Sequence, residues 1–407
     1  MTTSFGKFRL LERIGGGRLS QVYRIGRIWG EETTPKVVLK RVAPELIGEP
    51  GFVQLVAREA GLLSRLDHES LCACEEMGVI DGCAFLTLDL VDGCTVRALL
   101  RRLSQMEHRL PISAVLSLGA QAAQVLDYLH RHSPTPLVHL DLSPQNVMIS
   151  CEGQLKLIDF GIARFLDGHN PPPLDGRIAG TVGYMSPEQA RGQSDIPAQA
   201  DQFGLGILLW EMLSGRRLYA GNTDETWKRM REGDTPPLAE GFPDVGPELG
   251  RVVDRLLEAR PSDRYADLDV FCDELKLLTS NIESGRRPLA ALTRRLMGET
   301  DFDPFDHVRR VGSRDLQDAT LDRESGESGE LGESGESRYV ATASPMAAFE
   351  SSHNIPTGEI PIDTYAELSI AVDHVKGHPH TRCGRSSLQS PQRLAGEVRT
   401  RLEAERP

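Results

Sequence analysis

The sequence lacks any apolar run of about eighteen residues, the length that a helix needs to cross a lipid bilayer. Residues 1–9 also lack the apolar core of a signal peptide and are predicted to begin a folded strand instead. Positive charge is in deficit, since the formal net charge is −13 at pH 7. Nucleic acids and acidic membrane surfaces attract clustered Lys and Arg, so the sequence argues against both as partners.

Cysteine is present without a recognisable pattern. The 7 cysteines are irregularly spaced in 407 residues, which argues against a disulfide framework. Cys72 and Cys74 are close together, but no second pair lies at the spacing of a zinc site. The thiols are therefore predicted to be buried or half-buried, and a reducing, cytoplasmic location is expected.

Residues 8–96 are predicted to form a small antiparallel sheet with one helix. Short β-rich runs alternate there with turn signals such as residues 15–17 and 81–82. The predicted strands are 8–14, 21–28, 36–42, 79–80 and 84–90. Residues 51–66 carry apolar side chains at helical spacing and few helix breakers, so they are predicted to form the helix.

Residues 95–279 have a mainly helical pattern. The predicted helices are 113–130, 203–213, 249–257 and 270–278. The helix at 203–213 is apolar nearly all round, which is typical of a helix in the middle of a domain. A β-rich lobe followed by an α-rich lobe is therefore predicted, and the cleft between such lobes is a favoured ligand site.

The character of the chain changes beyond residue 280. A helical pattern continues over 284–297, and residues 324–337 then repeat Glu-Ser-Gly with small variations. Such repeats contain too little apolar surface to form a core. Residues 280–407 are predicted to be a mostly disordered regulatory or docking tail with short helices at 365–375 and 391–406.

Three groups of residues indicate phosphate chemistry. Glycines at 15–17 lie between two predicted strands, where backbone N–H groups could close over phosphates, although most Gly-rich hairpins have no such role. Lys40 ends an apolar strand, and Glu59 on the following helix is its candidate ion-pair partner, unless the two form an ordinary surface pair. Alone, neither signal is specific.

The third group is more specific. Asp141 and Asn146 lie in His-Leu-Asp-Leu-Ser-Pro-Gln-Asn, and Asp159 opens Asp-Phe-Gly just beyond a strand-turn-strand. Magnesium prefers hard oxygen ligands of this kind, and a carboxylate must also face an attacking hydroxyl in phosphoryl transfer. Turn-capping would explain each residue singly but not the set.

With these motifs in order, residues 8–279 resemble the eukaryotic-type (Hanks-type) serine/threonine protein kinase domain as it occurs in bacteria, over about two-thirds of the chain. The resemblance implies a two-lobed α+β fold with a small β lobe at 8–92 and a larger, mainly α lobe at 93–279. It also implies ATP as phosphoryl donor, Mg²⁺ (with Mn²⁺ as a substitute) as metal, and Ser or Thr of a protein as acceptor.

The resemblance assigns roles to individual residues. Asp141 is expected to orient the acceptor hydroxyl, Asn146 and Asp159 to bind the metal, and Lys40, held by Glu59, to anchor phosphates. Thr181 is expected beside Asp141, as in serine/threonine kinases. The residues expected to contact the nucleotide are Ile14, Gly15, Gly16, Gly17, Val22, Val38, Lys40, Leu88, Asp89, Val91 and Met148. Glu188, Asp201 and Arg264 match residues that organise the large lobe.

Four positions depart from the family pattern. Ser20 replaces the third loop glycine, and Val38 replaces the alanine above adenine. Leu140 stands where the family has arginine before the catalytic aspartate. Ser143 stands where serine/threonine kinases place a lysine beside the γ-phosphate, which removes a cation that would stabilise the transferring group.

The Leu140 substitution predicts that activation-loop phosphorylation does not switch this chain on. In kinases switched that way, the arginine at this position receives the loop phosphate. Residues 162–179 contain no Ser, Thr or Tyr, so site and receiver are both missing.

Two other functions remain open on the sequence. A pseudokinase scaffold would bind nucleotide without transfer, and the losses at Leu140 and Ser143 favour it. A small-molecule phosphotransferase would share Asp141, Asn146 and Asp159 but would be expected to lack Glu188, Asp201 and Arg264. The expected partners are protein substrates and a protein that docks on the tail.

Overall fold

The computed structural model describes residues 3–16, 19–27, 37–47, 50–134, 136–166, 180–221, 223–279 and 281–299. The predictions for Gly17, for residues 167–179 and for the segment from 300 to 407 lie outside these ranges.

Six antiparallel strands form the sheet of the small lobe, in the order β1-β2-β3-β4-β6-β5. They are β1 (Thr3–Phe5), β2 (Phe8–Gly15), β3 (Ser20–Arg27), β4 (Val37–Val42), β5 (Cys74–Ile80) and β6 (Cys83–Asp89). Helix α1 (Pro50–Leu63) packs against β4, β5 and β6. Phe8 and Leu10 alternate with exposed residues along β2, and the Phe8 ring meets Phe85 with centroids 5.4 Å apart.

The large lobe is mainly helical. Its short strands are β7 (Gly93–Thr95), β8 (Leu137–Val138), β9 (Val147–Ser150), β10 (Leu155–Leu157) and β11 (Arg164–Phe165). Its helices are α2 (Val96–Gln105), α3 (Ile112–His130), α4 (Pro187–Ala190), α5 (Gln199–Ser214), α6 (Asp224–Glu232), α7 (Leu238–Gly241), α8 (Pro247–Leu256), α9 (Leu268–Leu278) and α10 (Arg286–Met297). The two lobes confirm the predicted α+β architecture.

Helix α5 lies at the centre of the large lobe and packs against α3 and α8. Nearly all of its residues are buried, as its all-round apolar sequence predicts. Gly206 lets α8 approach closely, because a Cβ there would lie 2.8 Å from the Leu257 side chain. This helix is the rigid support on which the loops of the site rest.

The packed large lobe continues past the boundary expected at residue 279. Helix α10 packs against α3, β7 and β9. Arg102 forms a 2.7 Å ion pair with Glu299, and Arg294 Nη1 donates to the Cys151 carbonyl at 2.9 Å. Within the described ranges, residues up to Glu299 therefore pack on the large lobe. No helix in the described part of the chain is long and apolar enough to cross a membrane.

Candidate functional site

Lys40 and Glu59 meet behind the sheet of the small lobe. Strand β4 presents Lys40 and helix α1 presents Glu59, and Lys40 Nζ lies 2.8 Å from both carboxylate oxygens of Glu59. The same ammonium donates to Asp159 Oδ1 of the large lobe at 3.0 Å. Glu59 Oε1 also accepts from the Phe160 amide at 3.4 Å. The expected Lys40–Glu59 pair is thus formed, and it ties the two lobes together.

These three charges shift one another's pKa values. Burial alone would lower the pKa of Lys40, but the carboxylates of Asp159 and Glu59 outweigh it and raise the pKa above its ordinary value. The Lys40 ammonium lowers the pKa of Asp159. Burial raises the pKa of Glu59, and Lys40 offsets part of that rise. Lys40 is therefore a permanent cation at neutral pH.

Asp141 lies at the opposite side of the site, in the loop between β8 and β9. Its Oδ1 accepts from the Thr181 amide at 2.8 Å and from Thr181 Oγ1 at 2.6 Å. Its Oδ2 accepts from Asn146 Nδ2 at 2.7 Å. Burial raises the pKa of Asp141, the Thr181 hydroxyl bond offsets part of this, and Asp159 raises it further. The carboxylate is thus held in place and is a stronger proton acceptor than a free aspartate.

Asp201 of helix α5 fixes the backbone of residues 139–146, the loop between β8 and β9 that carries Asp141. The family resemblance identifies this segment as the catalytic loop. Asp201 Oδ2 accepts from the His139 amide and Oδ1 accepts from the Leu140 amide, both at 2.8 Å. His130 Nε2 lies 2.8 Å from Oδ2. Burial would raise the pKa of Asp201, but the bonds from His130 and the loop amide lower it below the ordinary value. These bonds hold Leu140 at a φ of 67°, which presents the following Asp141 to the site.

Asn146 and Asp159 fit a magnesium ion. Asn146 uses its Nδ2 for Asp141, by bonds of 2.7 and 2.9 Å, which leaves the amide oxygen for a cation. The Asp159 side chain is 43% exposed, so its carboxylate remains accessible although Lys40 binds one oxygen. No cluster of three or more His, Cys, Asp or Glu suited to a metal occurs in the described ranges. Magnesium needs no such cluster, because one or two protein oxygens plus phosphates and water complete its shell.

Most of the residues expected to contact the nucleotide lie on strands of the small lobe, and Met148 lies on β9 of the large lobe. Gly15 ends β2 opposite Val22 of β3, and Val38 of β4 pairs with Leu88 of β6. Gly16 has a φ of +106°, and a Cβ there would lie 2.2 Å from the Ser20 carbonyl, so the turn itself requires glycine. The remaining positions are Ile14 and Met148, both buried, and Asp89 and Val91, both half-buried.

Leu140 and Ser143, the two departures in the catalytic loop, are both buried. Leu140 packs with Val138 and Ala200 in a small apolar cluster, against which Ile162 and Ile196 also pack. Ser143 is fully buried, and its Oγ has no hydrogen-bond partner in the described part of the chain. A buried, neutral hydroxyl cannot replace the missing lysine as a cation.

Glu188 and Arg264 form a buried ion pair in the large lobe. Arg264 Nη1 and Nη2 donate to the two carboxylate oxygens at 2.7 and 3.0 Å, and neither side chain is more than 1% exposed. Arg264 also donates to the carbonyls of Gln199 and Glu258, both at 2.8 Å. The pair fixes α4, and with it the segment that follows Thr181.

The sequence interpretation missed two supports of the catalytic loop, His130 and Gln189. Ser186 caps α4 and Gln189 completes a capping box, and Gln189 Nε2 also donates to the Leu140 carbonyl at 2.8 Å. The spacing of Ser186 and Gln189 is a recognisable helix-start signal that could have revealed it. No local pattern marks His130, because its partner Asp201 lies on another helix.

Comparisons with known proteins give matches over the two lobes. The family model described as protein kinase domain matches residues 8–275. The tyrosine-protein kinase MasK of Myxococcus xanthus is 29% identical over 73% of this chain and 47% of its own length. The serine/threonine-protein kinase PknA of Mycobacterium tuberculosis is 30% identical over 70% of this chain and 63% of its own length. The chain thus spans less than two-thirds of the length of these relatives.

Solved structures show the same fold. The PknI kinase domain of Mycobacterium tuberculosis, as a single-substitution mutant, superposes with a TM-score of 0.51 and 24% sequence identity. The superposition covers 68% of this chain and 96% of that domain. At this identity the likeness concerns the fold alone.

Proposed function

Because the chain belongs to the protein kinase family, we propose that it transfers the γ-phosphoryl group of ATP to Ser or Thr hydroxyls of protein substrates. The observation that carries the proposal is the intact set of bonds around Lys40, Asp141 and Asp159. The relatives named above bear protein kinase names, which supports the same activity here.

Each residue has a defined role in the proposed reaction. The acceptor hydroxyl oxygen forms a bond to the γ-phosphorus, the bond from that phosphorus to the bridging β-oxygen breaks, and ADP leaves. Asp141 orients the hydroxyl and takes its proton, and Lys40 holds the α and β phosphates. Magnesium, held by Asn146 and Asp159, would neutralise the phosphate charge. Ser143 supplies no positive charge, so Lys40 must offset more of the negative charge of the transition state.

Serine/threonine specificity is the finer part of the proposal. The Thr181 hydroxyl bonds Asp141 at 2.6 Å, as the resemblance to serine/threonine kinases leads one to expect. The name of MasK is that of a tyrosine kinase, so tyrosine is the alternative acceptor. Phosphoamino-acid analysis of a labelled product distinguishes the two.

The first test is the Asp141→Asn variant. Removing the proton acceptor is expected to lower turnover on a protein substrate by about 10²- to 10⁴-fold. Asparagine keeps the size of the side chain, so ATP binding and the melting temperature should remain close to wild type. Labelled ATP with a generic protein substrate measures transfer. No transfer by wild type with ATP still bound would favour the pseudokinase alternative. Equal, measurable rates for both proteins would show that Asp141 is not the proton acceptor.

A second expectation concerns regulation. Leu140 packs in an apolar cluster and cannot bind a phosphate, so we propose that control does not depend on phosphorylation of the activation segment. The Thr181 hydroxyl is already engaged with Asp141, and a phosphate there would repel that carboxylate. A cytoplasmic location and a regulatory or docking role for residues 280–407 remain predictions.

Phosphatase treatment of the purified kinase is therefore expected to leave its initial rate unchanged, and Thr181→Glu to lower it. Thr181→Ser, which retains the hydroxyl, serves as the matched control and should stay active. Phosphosites are mapped before and after treatment. A rate that falls as phosphate is lost from Thr181 would contradict this expectation.

A further inference from the structure

A buried carboxylate lies beneath the segment that follows Thr181. Glu211 of α5 has a side chain only 2% exposed. It accepts from Tyr184 Oη at 2.6 Å and from the Leu218 amide at 3.1 Å, and it forms an ion pair with Arg217 Nε at 3.2 Å. Burial raises the pKa of Glu211, and these donors offset part of the rise. The negative charge of Glu211 is thus satisfied from within the chain.

Arg217 presents the rest of its guanidinium outward. Its carbon Cζ lies 5.1 Å from the centre of the Tyr184 ring, and Nη2 would lie 3.2 Å from a Cβ on Gly183. The side chain is 35% exposed. Within the described ranges the Nη groups have no hydrogen-bond acceptor, so they can donate to an incoming anion. The cation therefore lies beside Gly183, two residues beyond Thr181, which itself contacts Asp141.

Arg97 adds a second cation on the other side of the catalytic loop. Its amide donates to the Pro144 carbonyl at 2.8 Å, three residues beyond Asp141. It lies close enough to Tyr184 and Glu211 to act on both electrostatically. No carboxylate pairs with the half-buried Arg97 in the part of the chain that the structure describes. A positive charge in the first turn of α2 opposes the helix dipole, so helix stability does not explain it.

This inference rests on the proposed function. We infer that the surface around Asp141, Gly183 and Arg217 selects Ser residues flanked by acidic side chains, and that residues 324–337 of this chain are such a substrate. Glu211, which would attract a basic peptide, is already paired with Arg217. The outer face of Arg217 and the half-buried Arg97 are therefore cations that lie close to the segment following Thr181. Opposite charges favour encounter and register, while like charges exclude the wrong partner.

The chain's own sequence contains the matching pattern. Ser325, Ser328, Ser334 and Ser337 each directly follow a glutamate, and the intervening residues are mostly glycine. Glycine has no side chain, so the neighbouring glycines do not obstruct the approach of the serine to Asp141. Phosphoryl transfer to these serines is the reaction described above. The serine Oγ forms a bond to the γ-phosphorus of ATP, ADP leaves, and Asp141 takes the proton.

Three synthetic peptides test the inference: residues 320–340 as they stand, the same peptide with each Glu replaced by Gln, and the same with each Glu replaced by Lys. We expect the full-length kinase to favour the Glu peptide over the Gln peptide by about fivefold in kcat/KM, and the Lys peptide to be poorest, since one exposed ion pair is worth up to ~1 kcal/mol. Mass spectrometry of the full chain after ATP treatment should find phosphate on serines of 324–337.

Variants identify the cations responsible. Arg97→Ala and Arg217→Ala should each bring the Glu-to-Gln ratio towards one, Arg97→Glu should reverse the preference between Glu and Lys peptides, and Arg217→Lys should retain it. Arg97 forms no ion pair within the described ranges, so Arg97→Ala stays informative even if Arg217→Ala, which removes the ion pair of the buried Glu211, fails to fold. Arg251→Ala, which replaces an exposed arginine on α8, is the matched control and should behave as wild type.

The outcomes separate this inference from the proposed function. If wild type phosphorylates the Gln or Lys peptide as well as the Glu peptide, or if Arg97→Glu leaves the ranking unchanged, the selectivity is refuted while the kinase activity stands. If wild type phosphorylates neither these peptides nor a generic protein, the proposed function fails and the inference with it.

Discussion

Asp159→Asn is expected to lower the rate of phosphoryl transfer by about 10³-fold or more, while the fold remains intact. The substitution removes the carboxylate that is proposed to bind the metal, which is also one of the two carboxylates that hold Lys40. Asparagine is a sharper probe than alanine, because Asp159 has a φ of 67° and asparagine tolerates the left-handed region better than other residues do. The measurement is single-turnover transfer to a protein substrate with saturating ATP and magnesium.

Asp81→Asn is the matched control for this experiment. Asp81 also has a positive φ, 50°, but lies exposed in the turn between β5 and β6. Asp81→Asn makes the same chemical change at a residue with the same left-handed backbone conformation. It should therefore leave the rate and the melting temperature as in wild type. Rising magnesium concentration should not restore the Asp159 variant. Near-normal transfer by Asp159→Asn would show that another residue binds the metal.

The sequence predicted the two-lobed fold because the signals of its elements are local. The proposed site residues follow from motifs that are ordered along the chain, and their roles stay predictions. Helix α3 follows from its apolar periodicity, and the buried α5 follows from a sequence that is apolar nearly all round. Strand β5 begins at Cys74, earlier than the predicted start at residue 79, because its Cys-Glu-Glu-Met start has no apolar alternation and tertiary pairing with β6 decides it. The helix predicted to reach Leu66 ends at Leu63, where turns take over.

The sequence could not provide the side-chain contacts that depend on how the chain turns and packs. The Glu211–Arg217 pair bridges the end of α5, where Gly215 reverses the chain with a φ of 71°. A glutamate within an apolar helix signals that a partner must exist, since an unpaired buried charge is costly, but does not name the partner. The burial of Ser143 likewise depends on the packing of the whole lobe.

Replacing Glu188 with alanine is expected to destabilise the protein by about 3–5 kcal/mol, a large share of a domain's total stability. The change would leave the Arg264 guanidinium buried and without its counter-charge, although the carbonyls of Gln199 and Glu258 would still accept from it. Arg264→Lys should also destabilise, because a lysine cannot make the two-pronged contact and reach both carbonyls. Urea denaturation of each variant, followed by tryptophan fluorescence, measures the effect.

Lys276→Ala provides the control, because Lys276 pairs with Asp273 at a similar distance, 2.8 Å, but the two side chains are 63% and 72% exposed. Its unfolding midpoint should match wild type, since water already solvates both charges.

A double variant, Glu188→Leu with Arg264→Met, removes both charges and should recover part of the lost stability, because no charge remains buried. If Glu188→Ala unfolds at the wild-type midpoint, the pair does not hold α4 in the folded lobe. If the double variant is as unstable as the single one, the loss comes from packing and not from the orphaned charge.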